Sequence, residues 1–443
     1  MTRNYFGTDG IRGEVGSSVM TPEIILKLGW AAGMAFQDSG SEVLIGKDTR
    51  VSGYLFESAL ESGLCAAGMN IGLLGPMPTP AISYLTSTFR SAAGIVISAS
   101  HNKFTDNGIK FFSSSGEKIS DEIEQQIEHY MQEPLKIVNP EQIGKARRLS
   151  GAPDRYIEFC KSKLTHSISL QGMKIVIDCA NGANYNIASA VFNELCASTI
   201  VINNIPNGFN INDQCGSTYP QNMVNAVLEH NADIGIAFDG DGDRVILCDA
   251  TGNILDGDDI LYILAYNLLR NPNMVSQQGV VGTVMSNYAL EQELAKSNIA
   301  FTRVAVGDKN VMHELKDRGW FLGGEPSGHI INLHNSYSGD GIIAAILVLN
   351  VMLATDLTLQ ELTKNFNKYP QKIINLPCSN PKELMLTPRM QAITSNILNQ
   401  INNQGRALVR ASGTEPKIRI MLESANTKLI TEIEQYIEDS FYS

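Results

Sequence analysis

"GIVISASHNKFTDNGIKFF", residues 94–112, opens with an apolar run that reads as a buried strand. It breaks at Ser98, Ala99, Ser100, His101 and Asn102 and resumes as a second apolar run from Ile109 to Phe112. A polar loop between two buried strands is held at a fixed place in a fold. The question is what chemistry needs a serine at that strand end.

Working outward, strands alternate with amphipathic helices. Val43–Lys47 reads as a strand, Tyr54–Ala67 as a helix and Ile95–Ser98 as a strand; Lys174–Asp178, Ile200–Asn203, Ile234–Phe238, Val280–Val284 and Phe301–Val304 repeat the pattern. This alternation predicts α/β layers with mostly parallel strands. A chain of 443 residues is too long for one core, and its size suggests about three or four domains. Joints are expected near Leu149–Pro153, Thr251–Gly257 and Asn367–Gln371, giving segments 1–150, 151–252, 253–367 and 368–443.

Composition narrows the function classes. Hydrophobic content of 43% and charged content of 18% are ordinary for a globular protein. No apolar stretch reaches the roughly 18 residues of a membrane helix, and Met1–Gly13 shows no signal-peptide core, so a cytoplasmic location is expected. The seven cysteines are scattered without a CxxC pair, which argues for reduced thiols and against a zinc site. A net charge of -12 argues against nucleic acid, whose phosphates demand clustered cations. Any anionic substrate must therefore find locally gathered basic residues.

Four times an apolar run enters a short polar, glycine-bearing loop and continues into another apolar run: "SASHNKFTDNG" at 98–108, "DGDGDR" at 239–244, "GEPSGH" at 324–329 and "RASGTEP" at 410–416. A tight turn explains any one of them. Four, each with ionisable or hydroxyl groups, read better as four walls of one cleft.

In the second loop Asp239, Asp241 and Asp243 alternate with Gly240 and Gly242, so the backbone can curl and bring three carboxylates together. Such carboxylates repel unless a cation lies between them, and hard oxygen donors favour magnesium, calcium or manganese. An EF-hand is excluded, since its sixth position would be Arg244 and its twelfth Ala250. A solvated acidic turn is the bland alternative. The fourth loop offers Arg410, Ser412, Gly413 and Thr414, with Arg419 on the following strand, a set of donors suited to phosphate.

Next to Ser100, His101 invites a hydrolase reading. Adjacent residues of an extended chain point to opposite sides, however, so His101 is expected to be poorly placed to deprotonate Ser100, and no GxSxG elbow is present. A serine near a carboxylate metal site and a phosphate loop points instead to phosphoryl chemistry.

In order and spacing, "GIVISASHN", "DGDGDR", "GEPSGH" and "RASGTEPKIRI" resemble the α-D-phosphohexomutases over essentially the whole chain. "YFGTDGIRG" at 5–13 and "SGDG" at 338–341 look most like the bacterial phosphoglucosamine mutases within that family. The resemblance implies four domains around a central cleft, three related α/β domains and a smaller C-terminal α+β domain. It implies that the segments carry, in turn, the phosphoserine, metal, sugar and phosphate loops. Ser100 would be the phosphoserine and would join Asp239, Asp241 and Asp243 on one Mg²⁺ per subunit. Arg12, Lys110, His101 and His329 would surround the reacting group; Glu325, Ser327, Arg244 and Lys309 would contact the sugar; Arg410–Thr414 and Arg419 would hold the substrate's phosphate. Pro326 departs from the Gln, Asn or Met often found there.

The expected reaction interconverts glucosamine 6-phosphate and glucosamine 1-phosphate through glucosamine 1,6-bisphosphate, supplying UDP-N-acetylglucosamine for the cell wall. A phosphomannomutase or phosphoglucomutase is the alternative within the family. A magnesium phosphatase with Asp239 as nucleophile leaves Ser100 and the sugar loop unexplained, and a sugar-phosphate sensor would need no metal triad. The expected partner is a small phosphosugar, with no nucleic acid and no membrane. The resemblance allows a homodimer, and the sequence leaves the oligomeric state open.

Overall fold

The computed structural model describes residues 5–7, 9–165, 169–268, 279–402, 404–412 and 416–442. β-Branched and aliphatic runs form four successive sheets along the chain, the second reaching past the expected joint to include Ile254–Leu255. The first has six strands, in spatial order Ile11–Glu14, Asp106–Ser113, Ala93–Ile97, Glu42–Lys47, Asn70–Pro76 and Ala146–Arg148. The second orders Ile254–Leu255, Val245–Asp249, Ile234–Phe238, Lys174–Asp178 and Ser198–Ile202. The third orders Ala300–Val304, Gly279–Thr283, Leu322–Gly324 and Ile330–Asn332, and the fourth Gln371–Pro377, Lys417–Ser424 and Gly405–Ala411.

The expectation of mostly parallel strands needs correcting. Parallel pairing holds where helices cross over, as between Glu42–Lys47 and Ala93–Ile97, but each of the first three sheets turns antiparallel toward one edge. The fourth is antiparallel throughout. The reason lies in the four quoted loops. Ala93–Ile97 pairs antiparallel with Asp106–Ser113, Ile234–Phe238 with Val245–Asp249, Leu322–Gly324 with Ile330–Asn332, and Gly405–Ala411 with Lys417–Ser424. Every loop is thus a hairpin connection, and a short connection can join only antiparallel neighbours.

Lys174–Asp178 and Ile234–Phe238 form as read, and most other elements shift by a residue or two. The strand expected at Ile200–Asn203 spans Ser198–Ile202, because this edge strand is exposed or half-buried along its length and its polar start carries no apolar signal.

One continuous apolar core joins the first three sheets, from Leu44, Ile82 and Val96 through Ile175, Val191 and Phe238 to Val280, Leu322 and Ile346. The helix Gly341–Thr355 runs through it, apolar on nearly all sides, with Asp340 capping its start by accepting from Ile343 N. Tyr156 donates to Asp340 at 2.8 Å, linking the second segment to the third. The C-terminal sheet keeps a separate core of Ile393, Ile397, Ile420 and Ile433. Polar contacts attach it: Arg406 donates to the carbonyls of Val284 and Ser286, and Glu423 accepts from Tyr288 N.

Candidate active site

Three of the hairpin loops meet at one buried centre. Ser100 stands in the left-handed region with φ +53° and is 1% exposed. Its Oγ donates to Asp239 Oδ2 at 2.7 Å, and its N–H donates to Ser98 Oγ. This backbone also corrects the reading of His101. The chain is not extended at Ser100, so the two side chains do not diverge, and His101 Nδ1 lies 3.4 Å from Ser100 Oγ. Burial, with Arg244 and Arg12 nearby, brings His101 down to about 4 against the pull of Asp243 and Asp241, so the imidazole is neutral near pH 7.

Asp239, Asp241 and Asp243 are all buried and each turns a carboxylate oxygen to within 4.8 Å of the others. Burial, then Asp243 and Asp241, push Asp239 well above the usual carboxylate range. Burial also opposes ionisation of Asp243, but Lys110 and His329 prevail and hold it well below that range. Thr79, at the start of the helix Thr79–Thr88, donates its hydroxyl to Asp241 Oδ2 at 2.7 Å and its N–H to Asp241 O, fixing the loop from behind. Lys110 Nζ reaches Asp241 at 2.9 Å and Asp243 and Asp9 at 3.4 Å each. Among the described residues, Asp241 Oδ1 is buried without a hydrogen-bond partner, and Asp243 Oδ1 has only the longer contacts to His329 and Arg244, at 3.6 and 3.8 Å. Clustered carboxylates with an orphaned oxygen fit a hard divalent cation, and they are the residues that would hold Mg²⁺.

The sugar loop closes the other side. Glu325 Oε1 accepts from Gly307 N at 2.8 Å, and Ser327 Oγ lies 3.4 Å from Glu325 Oε2. Pro326 accepts from Gly257 N through its carbonyl at 3.1 Å. His329 Nδ1 lies 3.6 Å from Asp243 and its Nε2 3.7 Å from Asp308. Burial lowers His329, but Asp243 and then Asp308 and Glu325 outweigh it, raising the group to about 9. Arg244 lies beside Asp243, and Arg12 donates to Asp9 at 2.7 Å.

Two further sets of predicted site residues lie outside the carboxylate cluster. Lys309 is held by Asp121 and Glu124 of the first segment and borders a cavity of about 330 Å³ with Lys118, His329 and Ser338. Arg410 and Arg419 line a different pocket of about 210 Å³, together with Lys417, Asn375 and Met285. They are direct cross-strand partners, which gathers positive charge on one face of the C-terminal sheet. Gly413 and Thr414 lie outside the described residues, while Ser412 is buried beside them.

Sequence reasoning passed over several residues. Asp9, within "GTDGIRG", accepts from Arg12 and Lys118 and lies against Lys110. Lys118 also pairs with Asp308 at 2.6 Å, bridging the first and third segments. Arg50 and Asn212 bear on the carbonyls of the serine loop. The available signal was "KDTR" at 47–50, a charged run at a strand end, followed by a helix rather than by a second strand.

Comparison with known proteins agrees with this architecture. The chain matches the phosphoglucomutase/phosphomannomutase models for α/β/α domain I over residues 3–137, domain II over 154–252, domain III over 256–369 and the C-terminal domain over 373–440. It is 51% identical over 441 residues to a phosphoglucosamine mutase of Marinomonas sp. (strain MWYL1), covering 100% of this chain and 98% of that one. A phosphoglucosamine mutase of Hahella chejuensis is 50% identical over 446 residues, covering 99% of this chain and 100% of that one. A phosphoglucomutase/phosphomannomutase family structure from Burkholderia thailandensis superposes with a TM-score of 0.80 at 21% identity, covering 98% of this chain and 95% of that one. An Aspergillus fumigatus N-acetylphosphoglucosamine mutase in complex with GlcNAc-6P and magnesium gives 0.70 at 16% identity, covering 99% and 96% respectively.

Proposed function

The chain belongs to the phosphoglucomutase/phosphomannomutase family, and from that premise we infer that it is an isomerase, a phosphoglucosamine mutase interconverting glucosamine 6-phosphate and glucosamine 1-phosphate. The observation that carries the mechanism is the hydrogen bond from Ser100 to Asp239 at the edge of the buried carboxylate cluster. It supports Ser100 as the hydroxyl that would carry a phosphoryl group, between the acidic cluster and the basic residues around it.

In this reading Ser100 carries a phosphoryl group in the resting enzyme. The bond from phosphorus to Ser100 Oγ breaks as one forms to a hydroxyl oxygen of the sugar phosphate, whose proton ends on Ser100 Oγ, restoring the serine hydroxyl; the return step runs the same exchange in reverse. The resulting glucosamine 1,6-bisphosphate reorients, and its other phosphoryl group returns to Ser100. Mg²⁺ held by Asp239, Asp241 and Asp243 supplies charge neutralisation for the group in transit.

The chain's own residues do the rest. Lys110 and His329 are both held protonated by the surrounding carboxylates and supply fixed positive charge next to the transfer path. Neutral His101 lies within reach of Ser100 Oγ, and Arg12 and Arg244 close the basic rim. Glu325 and Ser327 present oxygens to sugar hydroxyls, while Arg410, Ser412 and Arg419 bind the phosphate that is not being transferred. Closure of these walls excludes water from the phosphoserine.

The test is an isomerisation assay with glucosamine, glucose and mannose 6-phosphates, scored alongside release of inorganic phosphate. Fastest turnover is expected with the glucosamine substrate and little phosphate release. Preference for mannose or glucose would assign the chain to another branch of the family. Phosphate release without isomerisation would overturn the mutase reading.

A further inference from the structure

We propose that Asn212 and Arg50 are positioning residues for phosphoryl transfer, acting through the backbone of the serine loop. Ser100 occupies the left-handed region, where a side-chain-bearing residue is rarely stable by itself. Something must hold it there. Asn212 Nδ2 donates to the carbonyl of Ser100 at 2.9 Å and to that of Asn102 at 3.0 Å. From the other side, Arg50 Nη2 donates to the same two carbonyls, at 3.2 and 2.5 Å. Arg50 Nε reaches Asp106 O at 2.9 Å, and its Nη1 pairs with Asp48. Two carbonyls two residues apart are therefore pinned by the same two donors, one from each domain flanking the loop.

Three further observations show that the surroundings are shaped to this clamp. Arg50 is completely buried, although a guanidinium is among the costliest groups to bury, and its donors go to backbone oxygens of the serine loop and to Asp48. Asn212 keeps a buried Oδ1 with no hydrogen-bond partner, so the amide is retained here for its donor end. Gly240 of the metal loop leaves the space they need: a Cβ there would come within 2.6 Å of Asn212 Nδ2 and 2.7 Å of Ser100 O. Asn212 itself is anchored by donating its N–H to Ala180 O, on the second sheet's side of the domain boundary.

The consequence is directional. Ser100 Oγ meets Asp239 only while the Ser100 backbone keeps its left-handed turn, and the substrate-contacting residues lie on other loops. Loosening the clamp should therefore slow transfer without weakening substrate binding. The inference rests on the phosphoserine reading, and the unaltered chain is assayed in parallel to separate the two.

The experiment compares Asn212→Ala, Arg50→Lys and Asn210→Ala in steady-state isomerisation of glucosamine 6-phosphate with Mg²⁺, together with thermal unfolding. Asn210 stabilises the same loop through Asn207 N and Ile205 O, and its side chain donates to no carbonyl of the serine loop among the described residues. Asn212→Ala and Arg50→Lys are expected to lower kcat at least tenfold with KM changed less than threefold, while Asn210→Ala stays within threefold of the parent. Undiminished kcat in Asn212→Ala, an equal fall in Asn210→Ala, or a fall confined to KM would each overturn the proposal. If Asn212→Ala does not fold, Asn212→Ser and Arg50→Lys carry the same comparison. An inactive parent would overturn the mutase reading instead.

Discussion

The hydroxyl of Ser100 donates to Asp239 across 2.7 Å, and burial, then Asp243 and Asp241, push that carboxylate well above the usual range. A nucleophilic oxygen and a potential metal ligand therefore share one hydrogen bond at the meeting of two domains. Adding a phosphoryl group to Ser100 would replace that bond with negative charge beside three carboxylates, which only a cation can offset.

Ser100→Ala is accordingly expected to abolish both phosphorylation and turnover. Intact-mass measurement should show one phosphoryl group on a fraction of the parent and none on the variant. Full isomerase activity in Ser100→Ala would sink the phosphoserine mechanism.

Excess Mg²⁺ should raise the unfolding temperature, since an ion that binds only the folded state stabilises it by about 2.7 kcal/mol at a hundred times its Kd. Asp241→Asn should lose that shift and most of kcat, because Asp241 Oδ1 is an orphaned buried oxygen. Activity that survives EDTA would count against the metal site.

Arg410 lies directly opposite Arg419, in a pocket that Lys417 also lines, a gathering of cations suited to a phosphate. A charge-assisted Arg–phosphate contact is worth about 1.5–3 kcal/mol, roughly ten- to hundred-fold in binding. Arg410→Ala should raise KM, and added glucosamine 1,6-bisphosphate should restore part of the rate by replacing intermediate that escapes. If neither arginine variant alters KM or the bisphosphate requirement, the C-terminal loop is not the phosphate site.

Gly339 lies flat against His329, and a Cβ at that position would fall 2.3 Å from Nε2. Gly339→Ala must displace the imidazole from between Asp243 and Asp308, so kcat should fall more than tenfold. Overpacking of this kind costs about 1–3 kcal/mol, which thermal unfolding can read separately. Parental activity in the variant would remove His329 from the transfer path.

Asp340 yields a pH prediction. Burial raises its carboxyl to about 6 despite hydrogen bonds from Ile343 N and Tyr156. A folded-state value above the unfolded one means that its contribution is fully present below about 3.8 and is lost as pH rises through about 6. Asp340→Asn, which keeps the helix cap, should be more stable than the parent at pH 8, by about 2–3 kcal/mol at most, with the difference vanishing near pH 4. A parallel pair of stability curves across that range would refute it.

Much of this site was legible in one dimension. Ser100, the three aspartates and the strand–loop–strand punctuation around them lie within short windows, where residue type and spacing alone carry the chemistry. Glu325, Ser327 and His329 were legible for the same reason. The local backbone, with Ser100 at φ +53°, was not, because the carbonyl of Ser100 is held by Asn212, 112 residues away, and by Arg50, 50 residues away. The sequence argument that separated His101 from Ser100 failed at that single dihedral.

By itself, then, the sequence determined which four strand–loop–strand segments carry clustered ionisable and hydroxyl groups, and that the first three belong to alternating α/β units. Only the tertiary structure decided the hairpin pairing that makes each loop an antiparallel connection, the Asp9–Lys118–Asp308 bridge between the first and third segments, and the placing of Lys309 on Asp121. The physical reason is distance along the chain. A cluster within five residues is bound together by its own covalent geometry, whereas Asn212 meets Ser100, and Lys118 meets Asp308, only because separate sheets share one apolar core that docks them.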